Sequence, residues 1–330
     1  MRVLVTGATG FVGGAVVRQL LARGDVVRVV VRSPDRAESL RQMGAEVHAG
    51  DVALKDTLRA PMTGVDAVFH VAGWYKIGDR DVAAAWQTNV DGTRHVLELM
   101  AELAIPKGVY TSTLAVNSDT HGRIVDETYR HRGAYLSTYE RTKAQAHALA
   151  EDLIARGLPL VIVQPGLVYG PGDSSSVRTM LRQYLTRQLP VLPRGTAFSW
   201  GHIDDVAAGH LRALDRGQVG RNYYLAGPAH SFVDAMALAE RITGIPAPKW
   251  HVPVAAMRVA AAGAGLLGAV LRLPAEYTGE GLRTLAGTTY LGDNRRAVRE
   301  LGWTVRPLAE GLRETLRHEA QQLFGKPPSF

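Results

Sequence analysis

Residues 2–13 read RVLVTGATGFVG, a β-branched apolar run that gives way to three glycines, Gly7, Gly10 and Gly13. The run predicts a first strand, and Phe11, Ala15, Val16 and Leu20 then recur at helical spacing, so the chain turns directly from strand into helix. Each glycine has a physical reason in such a turn. Gly7 permits the tight reversal, Gly10 lets the backbone approach a pyrophosphate at the positive end of the helix, and Gly13 lets helix and strand pack closely. Thr9, Phe11 and Val12 fill the positions between them.

Further along, short β-branched runs alternate with helical patterns: VVRVVVR at 26–32, AEVHAGD at 45–51, AVFHVAG at 67–73, KGVYTST at 107–113 and PLVIVQPG at 159–166. Alternation of this kind implies βαβ units and an α/β, doubly wound parallel sheet of Rossmann type. The runs are nearly continuous in apolar residues, which suits strands covered by helices on both faces. A nucleotide-binding domain is therefore expected over 1–165, with a returning segment near 199–215. The rest of 166–330 reads as a smaller C-terminal substrate-binding lobe, with strand-like pieces at FSWGHID and NYYLAG.

Composition narrows the chemistry. The 330 residues hold no cysteine, which removes disulfides, thiol nucleophiles and thiolate metal sites. Lys and Arg total 38 against 31 Asp and Glu, a formal charge of +7, but the basic residues are scattered. That pattern favours an anionic small molecule over nucleic acid. The eleven histidines show no metal-ligand spacing, so no metal is expected. The N-terminus enters its first strand without a leader pattern, which predicts a cytoplasmic protein. Within the apolar stretch 252–273 the longest uncharged run, VAAAGAGLLGAVL, falls short of the roughly 20 residues a membrane span needs. A buried helix is expected there, with a membrane-surface or partner contact as the alternative.

The three-residue spacing from Gly7 to Gly10 is followed in order by GDV at 50–52, HVAG at 70–73, NVDGT at 89–93, YTST at 110–113, YERTK at 139–143, QPGLVYGPGD at 164–173 and HIDDVA at 202–207. In this series the chain resembles the extended short-chain dehydrogenase/reductase family, of NAD-dependent epimerase/dehydratase type. It is most similar to the branch of dihydroflavonol reductases, 3β-hydroxysteroid dehydrogenases and hopanoid-associated epimerase-like proteins. The resemblance implies that Asp51 and Val52 bracket an adenine, that Val71, Ala72 and Gly73 line the nicotinamide ribose, and that Pro165, Gly166 and Val168 lie against the nicotinamide. It also implies that His202, Asp204 and Asp205 join the lobes and that Asn89 supports the sheet. Family members are often homodimers, here through helices near 89–104 and 136–156.

Tyr139 and Lys143, four apart, share one face of a helix expected from about Leu136 to Arg156. A tyrosine can give a proton to a reduced carbonyl oxygen when a neighbouring ammonium lowers its ordinary pKa near 10. The resemblance gives Lys143 a second duty on the ribose hydroxyls and puts the substrate-orienting hydroxyl at Thr113, with Ser112 as runner-up. After the second strand comes Arg32, with Arg36 beyond it, where a ribose-binding carboxylate would stand in NAD-selective chains. Guanidinium groups there favour a 2′-phosphate, so NADP(H) is the expected cofactor and NAD(H) the alternative, unless both arginines are simply solvated. Trp74, Tyr75 and Tyr169 read either as substrate walls or as packing residues.

The stretch VIVQPG lacks the asparagine with which sugar-nucleotide members meet a diphosphate, and Thr113-Leu114-Ala115 lacks the acidic pair of dehydratases. The expected activity is thus reversible reduction of a ketone or aldehyde on a small, fairly apolar molecule. A sugar or nucleotide-sugar epimerase is the first alternative. A noncatalytic NADP(H)-binding regulator or complex subunit is the second.

Overall fold

The computed structural model describes residues 1–78, 81–267, 278–325 and 330. The chain opens with β1 (Arg2–Thr6), α1 (Phe11–Ala22), β2 (Val26–Val31), α2 (Glu38–Gln42), β3 (Glu46–Ala49), α3 (Asp56–Met62) and β4 (Ala67–His70). It continues through α4 (Val82–Trp86), α5 (Gly92–Glu102), β5 (Lys107–Thr111), α6 (Thr138–Ala155), β6 (Leu160–Pro165), β7 (Leu167–Tyr169), α7 (Ser176–Leu185), β8 (Leu192–Pro193), β9 (Ala197–His202) and α8 (Ile203–Arg216). Then follow β10 (Asn222–Leu225), β11 (Ala229–Ser231), α9 (Phe232–Thr243), β12 (His251–Val252), α10 (Val254–Leu267), α11 (Gly279–Thr284), β13 (Thr289–Tyr290) and α12 (Leu308–Phe324).

Seven parallel strands form the main sheet in the order β10-β6-β5-β4-β1-β2-β3. The α/β, doubly wound Rossmann-like architecture is therefore present. Alternate strand residues face opposite ways, which explains the continuous apolar runs: Val3, Val5, Val29, Phe69 and Val163 pack under α1 and α8, whereas Leu4, Val68, Tyr110 and Ile162 pack under α3, α5 and α6. Strand order reverses between β1 and β4, and the crevice at their carboxyl ends is where such sheets take ligands.

The sheet draws more from the second half than the segment 199–215. β10 is its seventh strand, and Ala297, Leu301 and Trp303 enter the core on the α1 and α8 side, because Trp303 is fully buried with its indole N–H donated to the Asp205 carbonyl at 2.6 Å. The remaining lobe is built on β11-β9-β13, with β7 also on β9, around Trp200, Phe232, Leu312 and Leu316.

No helix among the described residues is long and apolar enough to cross a membrane. The expectation of a buried helix at 252–273 needs correction: α10 leaves Val259 74% exposed and buries only Ala261 among its described side chains. Apolar composition failed as a guide because alanines and glycines dominate α10 and only one face of it meets α11. Residues 268–273 of that stretch lie outside the described residues.

Candidate active site

At the end of β1, Gly7 takes a positive φ of 72°, and a Cβ there would lie 2.6 Å from the Ala72 nitrogen. A Cβ on Gly13 would lie 2.2 Å from the Gly7 carbonyl oxygen, so α1 crosses β1 at a distance only glycine permits. Gly10 is the N-cap of α1, and the first turn holds no acidic side chain. The amide groups of an N-terminus with no side-chain cap thus face outward beside Thr9, Phe11 and Val12, a cradle that fits an anionic pyrophosphate.

Around it stand the other expected contacts. Arg32 and Arg36 are exposed just past β2 and make no ion pair among the described residues. The Asp51 carboxylate accepts from the Ala53 N–H at 3.0 Å, and Val52 packs against Gly92, where a Cβ would come within 2.8 Å. The loop of Val71, Ala72 and Gly73 continues β4 directly opposite Gly7. Across the cleft, Pro165 is buried at the end of β6, Val168 is half-buried on β7, and a Cβ on Gly166 would lie 2.2 Å from the Ser199 carbonyl oxygen.

Tyr139 and Lys143 lie one turn apart on α6, whose N-cap, Ser137, accepts from the Glu140 N–H. Tyr139 shares a hydrogen bond with the Thr113 hydroxyl, which opposes a rise in its pKa caused mainly by burial. Lys143 is 4% exposed, and burial lowers its pKa to about 7. Its Nζ donates to the Thr111 carbonyl at 2.8 Å and the Tyr110 hydroxyl at 3.2 Å, while Tyr110 stacks on His70. The runner-up, Ser112, has its hydroxyl engaged elsewhere, at 2.9 Å from His147 Nδ1.

Behind these groups runs a buried polar chain in which the sequence reading assigned a role to Asn89 but none to His70 or Thr93. The Thr93 hydroxyl donates to the Asn89 carbonyl at 2.6 Å, so it accepts from His70 Nε2 at 3.0 Å, and His70 Nδ1 accepts from Thr6 at 2.8 Å. Burial lowers the His70 pKa to about 3, consistent with this neutral tautomer. Asn89 lies in a π-helical turn, Gln87–Asp91, and its side-chain amide accepts from the Trp74 N–H at 2.7 Å and donates to the Trp74 carbonyl and the Thr142 hydroxyl, each at 2.9 Å. It thereby ties the loop after β4 to α6 beside Lys143.

Of the three aromatics, Trp74 is half-buried on that loop, and the exposed Tyr75 reaches Ser174 at 3.5 Å. Tyr169 is not a substrate wall. It is 1% exposed in the lobe's core, edge-on to Trp200 and His202, and Gly311 leaves room for its hydroxyl. Asp205 binds Arg306 through both carboxylate oxygens, which suits a structural role for the HIDDVA motif.

A model of the NAD dependent epimerase/dehydratase family matches residues 3–226. The chain belongs to that family. It is an enzyme of the extended short-chain dehydrogenase/reductase type, a group whose members here include reductases and epimerases. A putative dihydroflavonol 4-reductase of Synechocystis is 35% identical over 258 residues, covering 76% of this chain and 75% of that protein. Sterol demethylase protein B of Methylococcus capsulatus is 31% identical over 316 residues, 92% of this chain and 93% of its own. The UDP-glucuronic acid 4-epimerase of Bacillus cereus, solved with NAD, shares the fold at a TM-score of 0.79 and 21% identity, covering 98% of this chain and 100% of its own.

Proposed function

We propose that this enzyme reduces a ketone or aldehyde on a small, fairly apolar molecule, reversibly, with NADP(H) as exchanging cofactor. The observation that carries the reading is the Tyr139–Thr113 hydroxyl pair at the end of β5, with Lys143 one turn away and the glycine cradle across the crevice. Gly7, Gly10 and Gly13 would admit the pyrophosphate, Arg32 and Arg36 the 2′-phosphate, and Lys143 the ribose hydroxyls. When bound, the nicotinamide supplies the hydride.

The chain's own residues do the rest. Thr113 orients the carbonyl oxygen and Tyr139 O–H donates the proton that neutralises it. Lys143 places positive charge beside the resulting phenolate, which burial alone disfavours. Asn89 keeps the loop after β4 and α6 in register, so these groups meet one oxygen. The names of the reductase and sterol-demethylase relatives support a carbonyl on an apolar skeleton. The glutamine in VIVQPG supports it too: Gln164 is buried, its side chain donating to the Thr113 carbonyl at 3.3 Å, and offers no amide to a nucleotide diphosphate.

A screen of carbonyl compounds for NADPH oxidation tests the proposal, with Tyr139→Phe as control. Turnover lost by about 10²–10⁴-fold with NADPH affinity kept supports it. An unchanged rate in Tyr139→Phe contradicts it, as does a protein that acts in its host without any Tyr139 hydroxyl.

A further inference from the structure

Trp250 and Val259, 77% and 74% exposed, are the two most exposed large apolar side chains among the described residues. Trp250 directly precedes β12, and Val259 lies on α10, which follows that strand. α10 turns Val254, Met257 and Ala261 inward, with Val254 against Gly195 and Gly287, and turns Ala255, Val259 and Ala262 outward. β12 pairs with β8, so the exposed Val191 and Arg194 join the same edge: Leu192 N–H donates to the Trp250 carbonyl and Arg194 N–H to the Val252 carbonyl, both at 3.0 Å.

The exposed charge beside this patch is mainly basic, with Glu240, which accepts from the Ala247 N–H at 3.1 Å, as an acidic neighbour. Residues 241–267 contain no Asp or Glu and three Lys or Arg, and in 174–203 Arg178 and Arg182 pair with Glu319, which leaves Arg187 and Arg194 without an ion pair among the described residues. Arg194, Lys249 and Arg258 are exposed and make no ion pair among the described residues. Residues 244–265 also lack Ser, Thr, Asn and Gln. The polar side chains of this segment are Lys249, His251 and Arg258 with the Trp250 indole, so it offers cations to a partner and few neutral hydrogen-bonding groups. A headgroup layer requires only apolar side chains, a tryptophan with one polar edge, and cations for lipid phosphates.

We propose that this face, Trp250 and Val259 flanked by Arg194, Lys249 and Arg258, docks the enzyme on an anionic lipid bilayer surface. The helix lies on the membrane and does not enter it deeply, its described residues numbering 14. The docked helix is linked to the active site through α11. α10 packs on α11, where Glu280 accepts from the Thr138 N–H at 3.0 Å and the Thr138 hydroxyl at 2.8 Å, next to Tyr139. On the reading of an apolar carbonyl substrate, on which this step alone rests, substrate reaches Tyr139 from the bilayer.

The test is flotation of the full chain with phosphatidylcholine vesicles that contain or lack phosphatidylglycerol. The protein is expected to float only with the anionic vesicles and to be released by salt. Lys249→Gln with Arg258→Gln lowers partitioning about thirtyfold, near fivefold per charge, and Trp250→Ser with Val259→Ser abolishes it. Unchanged NADPH affinity shows that each variant is folded. Failure of the wild type to float, or equal flotation of the variants, overturns docking. So does a dimer in gel filtration that Val259→Ser dissociates, since a second copy then covers the face. Flotation without carbonyl turnover would leave docking standing and remove only the substrate route.

Discussion

Lys143 Nζ lies 3.2 Å from the Tyr110 hydroxyl and 4.8 Å from the centre of the same ring. With the Thr111 carbonyl, these are neutral partners for a group whose pKa burial has lowered to about 7, so its charge state changes near neutrality. NADPH affinity should fall as pH rises through that transition. Tyr110→Phe keeps the ring but removes one acceptor of the ammonium, and should move the midpoint about one unit lower. Fluorescence titration across pH checks it; an unmoved midpoint would separate Tyr110 from Lys143.

The same lysine sets a stability trend. Unfolded, it titrates near 10.5; folded, near 7, so between these values the unfolded chain holds a proton that the folded chain has released. Stability of the cofactor-free protein therefore rises with pH over that window, and the penalty is full below it. Lys143→Met should flatten the rise in thermal midpoint. On the acid side, His70 and His210, lowered to about 3 and about 4 by burial, withdraw stability as pH falls below their unfolded value of 6.5.

Ser112 and Thr113 should separate cleanly. Thr113→Val removes the hydroxyl that meets Tyr139 and is expected to lower kcat about 10²-fold or more, with little change in melting. Ser112→Ala breaks the bond to His147 and should cost about 1 kcal/mol in urea unfolding while sparing kcat. The reverse pattern would exchange their roles.

Gly13→Ala places a methyl 2.2 Å from the Gly7 carbonyl, a backbone atom that cannot step aside. The expected cost is about 1–3 kcal/mol in unfolding experiments, together with a displaced cradle and weakened NADPH binding. Gly14→Ala, whose nearest atom is at 3.3 Å, should be much milder.

These positions also show what a sequence can disclose. The glycine turn was legible because backbone approach demands glycine at fixed intervals, and Tyr139 with Lys143 because helical spacing sets them on one face. Tyr110, His70 and Thr93 were not: buried polar residues inside strands and helices look like ordinary members of those elements until their partners, 23 to 64 residues away, are known. Tyr169 followed a cofactor-lining segment yet points into the lobe, since β7 pairs with β9 and turns its hydroxyl toward Gly311. The α10 surface was misjudged for a related reason. Hydropathy reports what a side chain avoids, and only the tertiary structure shows whether this chain covers it.

The most direct test of the account is to denature freshly purified protein, chromatograph what it releases, and titrate the cofactor-free protein with NADPH and NADH, for wild type and Arg32→Asp. An exchanging reductase should release little, bind NADPH more tightly than NADH, and lose that preference in Arg32→Asp. Near-stoichiometric release of NAD(H), with a preference that Arg32→Asp leaves unchanged, would contradict the reductase reading and favour an epimerase.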